Sequence, residues 1–138
     1  METLEKIELP PNVEDLVGHE QLTLLEAMYS RNHFGGRPAY VVKENDRVLG
    51  IAVVQTGYYP AFAKIWCLEV ASDFRMRGIG RRLVEAVLDD YGATKLVAKR
   101  DAFGFYEKMG FAYVGDPHPR SNVCYMVCVP TVTTNHIK

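Results

Sequence analysis

The sequence predicts an α/β fold: one domain, residues 1–138, with a mixed β-sheet and helices on both faces. A chain of 138 residues has the size of one domain and can bury a core. Strand-like and helix-like segments alternate in the middle of the chain, which indicates parallel strands joined by a helix. Apolar, β-branched runs near both ends are separated by short connections, which indicates antiparallel pairs.

The first half of the chain is predicted to contain a short strand, a helix and a hairpin. Residues 7–9 form the strand, which two prolines end. Apolar residues at helical spacing predict a helix over about residues 13–31, and residues 32–38 form a loop rich in glycine and proline. Two β-branched runs, 39–43 and 48–54, then predict a hairpin, and a glycine inside the second run suggests a bulge or a close approach.

The middle of the chain predicts a strand, a turn, a helix and a strand. The strand covers residues 62–71, and a glycine-containing turn follows it. An apolar stripe at helical spacing marks a helix from Ile79 to Tyr91, and Gly92 suits the position just after its end. Residues 95–98 form the next strand.

The last third of the chain predicts a short helix and two closing antiparallel strands. Asp101 is expected to cap the helix, which ends at Gly110. The strands cover residues 111–114 and 123–129, and a polar connection that contains prolines joins them.

Composition and charge exclude several classes of protein. Apolar residues make up 48% of the chain and charged residues 24%, which is ordinary for a globular domain, and the net charge of −1 disfavours nucleic-acid binding. The first residues lack an apolar signal core and no apolar run reaches transmembrane length, so we expect a cytoplasmic protein with no membrane partner. Three cysteines without zinc spacing predict neither a disulfide framework nor a metal site. Cys67 could be a nucleophile, but a small, buried strand residue is the simpler interpretation.

The most informative segment is the turn Arg75-Met76-Arg77-Gly78-Ile79-Gly80. It lies between an apolar strand and an amphipathic helix, whose first N–H groups have no internal partner and attract anions. Glycines let a phosphate approach the main chain closely, and two arginines add positive charge. The spacing matches neither the Walker loop nor the Gly-x-Gly-x-x-Gly fingerprint, so the turn predicts a different pyrophosphate site.

Two motifs identify a family resemblance. The Arg-x-x-Gly-x-Gly pattern at residues 75–80 resembles motif A of the GCN5-related N-acetyltransferases, the GNAT superfamily, in which it holds the pyrophosphate of acetyl-coenzyme A. Residues 68–70 (Leu-Glu-Val) are similar to the Leu-x-Val that precedes this motif in the family. Residues 105–111 (Phe-Tyr-Glu-Lys-Met-Gly-Phe) resemble the downstream Phe-Tyr-x-Lys-x-Gly-Phe signature. The resemblance covers about residues 62–115.

The resemblance implies acetyl-CoA as acetyl donor and no metal. It places the cofactor site at the turn of residues 75–80, here named the phosphate turn, and at the strand before it. In relatives this strand also supplies an N–H group for the oxyanion, and its divergence from the next strand receives the pantetheine arm. Lys99 stands where many relatives carry an asparagine that contacts the cofactor. The expected cofactor-binding residues are Leu68, Glu69, Val70, Arg75, Met76, Arg77, Gly78, Ile79, Gly80, Arg81, Lys99 and Tyr106.

Two residues are the candidate catalytic groups. The resemblance implies that Tyr106 lies near the thioester sulfur as proton donor to the leaving thiolate; the alternative is a tyrosine that only packs its ring. Glu69 is an ionisable residue inside an apolar run, where relatives often carry an acid that accepts the proton of the amine; the alternative is a solvent-facing strand glutamate. Alternation places Glu69 and Cys67 on one face of the strand, with Leu68 and Val70 on the other. His33 and His118 are alternative bases.

The sequence leaves the acceptor open. The resemblance implies an N-acetyltransferase that transfers the acetyl group directly to a primary amine of a small molecule, peptide or protein in a ternary complex. The acceptor pocket is expected at residues 32–38, 57–62 and 116–120, which include Tyr58 and Tyr59. The alternative is a GNAT-fold module that binds CoA or acyl-CoA as a sensor, without catalysis. Either a monomer or a homodimer is compatible with the sequence.

Overall fold

The computed structural model describes residues 2–11, 36–45, 47–56, 63–71, 74–115 and 122–130. The predicted helix over residues 13–31 lies outside the described residues. So do most of the predicted acceptor segments, together with Tyr58, Tyr59, His33 and His118.

The described residues form one mixed sheet of seven strands, in the order β1-β2-β3-β4-β5-β7-β6. Neighbouring strands are antiparallel except β4 and β5, which run parallel and are joined by the helix α1. The prediction of a mixed α/β sheet is therefore confirmed. The elements are β1 (Glu2–Glu8), β2 (Pro38–Glu44), β3 (Arg47–Gln55), β4 (Ala63–Val70), α1 (Ile79–Tyr91), β5 (Thr94–Lys99), α2 (Phe103–Lys108), β6 (Ala112–Tyr113) and β7 (Val123–Cys128).

The sheet has a buried apolar layer on each of its two faces. On the first face, both described helices pack against the sheet, and the large core residues there include Leu49, Leu83 and Met126. On the second face, a separate cluster that includes Ile51 and Cys67 lies over β1 to β4. The two clusters agree with strands whose successive side chains point to opposite faces.

The helix α1 forms where the apolar stripe predicts it. Ile79, Leu83, Val84 and Val87 are buried against the sheet. Gly92 follows the last helical residue with a φ of 73°, and its N–H donates to the carbonyl of Leu88. A positive φ favours glycine because it has no Cβ, so this helix end is confirmed.

Two local predictions need correction. The first strand covers Glu2–Glu8 instead of residues 7–9, because it pairs with β2 along its whole length. Charged residues interrupt the apolar run by which a strand is identified in the sequence. Asp101 is not a helix cap: the segment begins with a 3₁₀ turn, Arg100–Ala102, and no side-chain cap bond forms. The N–H of Phe103 instead donates to the carbonyl of Arg100, so the backbone makes this bond without a side chain.

Gly50 lets α1 approach β3 closely, and a neighbouring bulge shifts the register with β2. A Cβ at this position would lie 2.8 Å from Cγ2 of Ile79 and 3.2 Å from Cδ1 of Leu83.

We therefore expect Gly50→Ala to lower the free energy of unfolding by about 1–3 kcal/mol, because overpacking forces the helix or strand to shift. Urea denaturation measures this. Gly104→Ala is the matched control, because a Cβ there meets nothing within 4 Å; equal losses in both variants would contradict the close approach.

Candidate active site

The sheet opens between its two parallel strands. β4 and β5 pair only at Ala63–Thr94 and Lys64–Lys95. One residue later, β4 carries a bulge opposite β3: Val53 pairs with Cys67 and Val54 with Ile65, which leaves Trp66 as the extra residue. A bulge bends its strand, so β4 diverges from β5 beyond this point.

The divergence forms a cleft of about 770 Å³. Its walls are the second halves of β4 and β5, the phosphate turn and α2. Lys99 on β5 was expected at the site from its place at the family's asparagine position, whereas the contribution of the 3₁₀ turn, through Asp101 and Ala102, was not predicted. The lining residues are Ile65, Trp66, Cys67, Leu68, Glu69, Val70, Phe74, Arg75, Met76, Gly78, Ile79, Gly80, Arg81, Leu96, Val97, Ala98, Lys99, Asp101, Ala102, Phe105 and Tyr106.

The phosphate turn contains two left-handed residues. Met76 has a φ of 69° and Gly78 a φ of 77°, and Gly78 is the N-cap of α1. For a residue other than glycine this conformation costs about 1–2 kcal/mol, so Met76 stores backbone strain. Backbone N–H groups near left-handed residues converge into an anion-binding concavity, which here lies at the start of a helix. No acidic residue occupies the first turn of α1 to oppose an anion.

The arginines of the turn fall into two groups. Arg75 and Arg81 line the cleft, as expected of cofactor-binding residues. Arg77 does not line it: its Nη2 lies 2.7 Å from Oε2 of Glu2 on β1. Arg82 also contacts Glu2, at 2.9 Å from Oε1. The guanidinium of Arg77 is thus directed towards the edge strand, and only its backbone remains available at the turn.

The side chains of β4 alternate after the bulge as predicted. Cys67 belongs to the second-face cluster, whereas Leu68 and Val70 pack against the first. Glu69 is half-buried and lines the cleft. Burial, and next the negative charge of Glu69, raise the pKa of Cys67 to about 12. The Cys67 side chain therefore stays a thiol at neutral pH, which disfavours a nucleophilic role.

Tyr106 combines core packing with access to the cleft. Its ring makes edge contacts with Phe105 at 5.0 Å and with Phe111 at 5.5 Å between centroids. Burial, and next the interaction with Cys67, raise the pKa of Tyr106 to about 12. The phenol thus keeps its proton well above neutral pH.

Lys99 lies at the far end of β5. Its side chain is exposed and lines the cleft, so a residue at the family's asparagine position does reach the site. A second, smaller cavity of about 440 Å³ begins at Lys99 and continues along Arg100, Asn122 and Val123.

Within the described segments, no group of three or more His, Cys, Asp or Glu side chains is arranged to hold a metal ion. None of the helices in these segments has the length and apolar character needed to cross a bilayer.

Comparison with known proteins connects this geometry to a family. The model of the acetyltransferase (GNAT) family matches residues 2–111, which include β1 to α2 and the whole cleft. No curated protein matches the chain.

Solved structures share the fold. The Bacillus subtilis N-acetyltransferase YlbP, determined with coenzyme A, is 18% identical over 94% of this chain and 97% of its own, with a TM-score of 0.66. The ribosomal-protein-S18-alanine N-acetyltransferase of Escherichia coli is 18% identical over 98% of both chains, with a TM-score of 0.66. A GNAT family acetyltransferase of Elizabethkingia anophelis, determined with acetyl-CoA, is 18% identical over 94% of this chain and 98% of its own, with a TM-score of 0.63. At these identities the likeness shows the fold alone.

Proposed function

The chain belongs to the GNAT acetyltransferase family, and from this premise we propose that it transfers the acetyl group of acetyl-CoA to a primary amine. The observation that carries the proposal is the cleft between β4 and β5, which joins an anion-binding turn to a buried tyrosine. Solved relatives hold coenzyme A or acetyl-CoA, which supports the same donor here.

The residues of the cleft fit the chemistry of an acyl-CoA. The left-handed turn and the first N–H groups of α1 would hold the pyrophosphate, and Arg75 and Arg81 would add positive charge. Beyond Lys64 and Lys95 the ladder between β4 and β5 ends, so the backbone of both strands that faces the gap is placed where it would bind the amides of the pantetheine arm. The apolar lining from Leu68, Val70, Leu96 and Ala98 would surround its methylene groups.

Tyr106 is the proposed proton donor to the leaving thiolate. A phenol whose pKa is raised to about 12 is almost fully protonated at neutral pH, so the donor is always present. It lines the cleft together with Leu68 and Glu69 of β4, which supports a position near the thioester.

Glu69 is the proposed base. An alkyl amine with a pKa of about 10.4 is mostly protonated at pH 7, and reaching its neutral form costs about 4–5 kcal/mol. Glu69 lies on β4 inside the cleft, on the face of the sheet opposite α1. In this proposal the amine approaches from that face, gives a proton to Glu69 directly or through water, and attacks the thioester in a ternary complex.

A thiol-release assay with acetyl-CoA tests the proposal against a panel of amines: small amines, amino sugars, polyamines, and peptides with a free N-terminus or lysine. Release that depends on one of these acceptors is the expected result. Tight binding of CoA without thiol release for any acceptor would favour the alternative function, a sensor that binds CoA without catalysis. The observation that supports this alternative is Lys99, which lines the cleft at the family's asparagine position.

A further inference from the structure

The first strand is attached to the phosphate turn through one carboxylate. The two oxygens of Glu2 contact different arginines, Oε2 with Arg77 at 2.7 Å and Oε1 with Arg82 at 2.9 Å. The Glu2 side chain is only 20% exposed, whereas the two arginine side chains are 45% and 38% exposed. Arg77 lies in the turn, at a separation of 75 positions from Glu2 in the chain. Arg82 lies in the first part of α1, at a separation of 80 positions.

The part of the turn that Glu2 holds is the strained part. Arg77 lies between the left-handed residues Met76 and Gly78. The Met76 side chain is fully exposed and contributes no packing, and a Cβ on Gly78 would meet nothing within 4 Å. Strained backbone persists only where surrounding groups hold it, and the Arg77 side chain is one such attachment, beside the contact of Arg75 Nε with the carbonyl of Val70 at 3.4 Å.

An aromatic contact adds to the same attachment. The guanidinium of Arg77 lies 5.1 Å from the centre of the Phe74 ring, and that of Arg47 lies 4.5 Å from the same ring. Arg77 is therefore held by the ring and by the carboxylate of Glu2. The Phe74 ring contacts only Arg77 of the turn and Arg47 of β3 in this set of interactions. Glu2, in contrast, connects the turn to β1 and to α1.

We propose that Glu2 is a positioning residue for the phosphate turn: by holding Arg77 and Arg82 it keeps the backbone N–H groups of residues 76–78 arranged for a pyrophosphate. The inference rests on the proposed function, because it requires that the turn binds the phosphates of CoA. Glu2 itself does not line the cleft. Its effect is therefore on cofactor affinity and not on the chemical step.

The test is Glu2→Gln, with calorimetric titration of CoA and steady-state kinetics. We expect the Kd for CoA and the KM for acetyl-CoA to rise roughly 5- to 10-fold, with kcat nearly unchanged. Glu5→Gln is the control, because it removes the same charge from an exposed position on the same strand. Circular dichroism verifies that both variants are folded.

A double-mutant cycle distinguishes positioning from a general charge effect. If Glu2 acts mainly through Arg77, Glu2→Gln should weaken CoA binding much less in the Arg77→Gln background than in the wild type, because only its contact with Arg82 is left to lose. Arg82→Gln, which breaks only the contact to α1, should give a smaller loss. If the wild type binds CoA and Glu2→Gln binds it equally well or more tightly, the inference about Glu2 is wrong and the proposed function still stands. No CoA binding by the wild type would overturn the proposed function and this inference with it.

Discussion

Replacing Tyr106 with phenylalanine is expected to lower kcat at least about 100-fold while the Kd for acetyl-CoA stays nearly unchanged. Phenylalanine keeps the ring that packs against Phe105 and Phe111, so only the hydroxyl is lost. Because the pKa of Tyr106 is raised to about 12, the wild-type hydroxyl keeps its proton from pH 6 to pH 10. The loss should accordingly be constant over this range, as measured by thiol release.

The control for this prediction is Tyr125→Phe. Tyr125 lies on β7, is 61% exposed and does not line the cleft, so the same chemical change should leave kcat unaltered. An unchanged kcat in Tyr106→Phe would remove the role of proton donor and leave ring packing as the function of this residue.

Glu69→Gln is expected to lower kcat/KM for the amine by about 10²- to 10³-fold at pH 7, with a smaller loss above pH 8. At low pH the amine is protonated and needs a base, whereas at high pH more of it is already neutral. The pH profile of kcat/KM measures this difference. Glutamine keeps the size of the side chain, so the bulge and the packing of β4 should persist.

A loss that is equal at all pH values would contradict the role of base and indicate that Glu69 positions the acceptor. Glu5→Gln supplies the control, since it removes a carboxylate from the exposed edge of the sheet and should leave the profile unchanged.

The local patterns around the cleft were predictable because each depends on neighbours in sequence. The stripe of α1 and the glycine after it follow from helical spacing and from the need for a positive φ at Gly92. The shared face of Cys67 and Glu69 follows from alternation along β4, which holds because the bulge at Trp66 lies before both residues. Had the bulge followed Cys67, the two side chains would point to opposite faces.

The sequence could not predict features that depend on contacts between distant segments. The Glu2–Arg77 pair joins residues 75 positions apart, and nothing local distinguishes Glu2 from the other glutamates near it. Arg77 was therefore expected at the cofactor, although its side chain is directed towards β1. The Asp101 cap failed because a 3₁₀ turn, in which the N–H of Arg100 donates to the distant carbonyl of Asn122, precedes the helix. The divergence of β4 and β5 was expected only from the family resemblance and not from the residues themselves, because it needs both strands in place.

The central claim is that the cleft between β4 and β5 binds an acyl-CoA through the phosphate turn. Calorimetric titration of the wild-type protein with acetyl-CoA, CoA and ATP tests it most directly. Selective binding of acetyl-CoA and CoA, with ATP much weaker, is the predicted result, since ATP lacks the pantetheine arm that we propose the cleft holds. If neither acetyl-CoA nor CoA binds, the claim is contradicted, and the acetyltransferase and the sensor are both excluded.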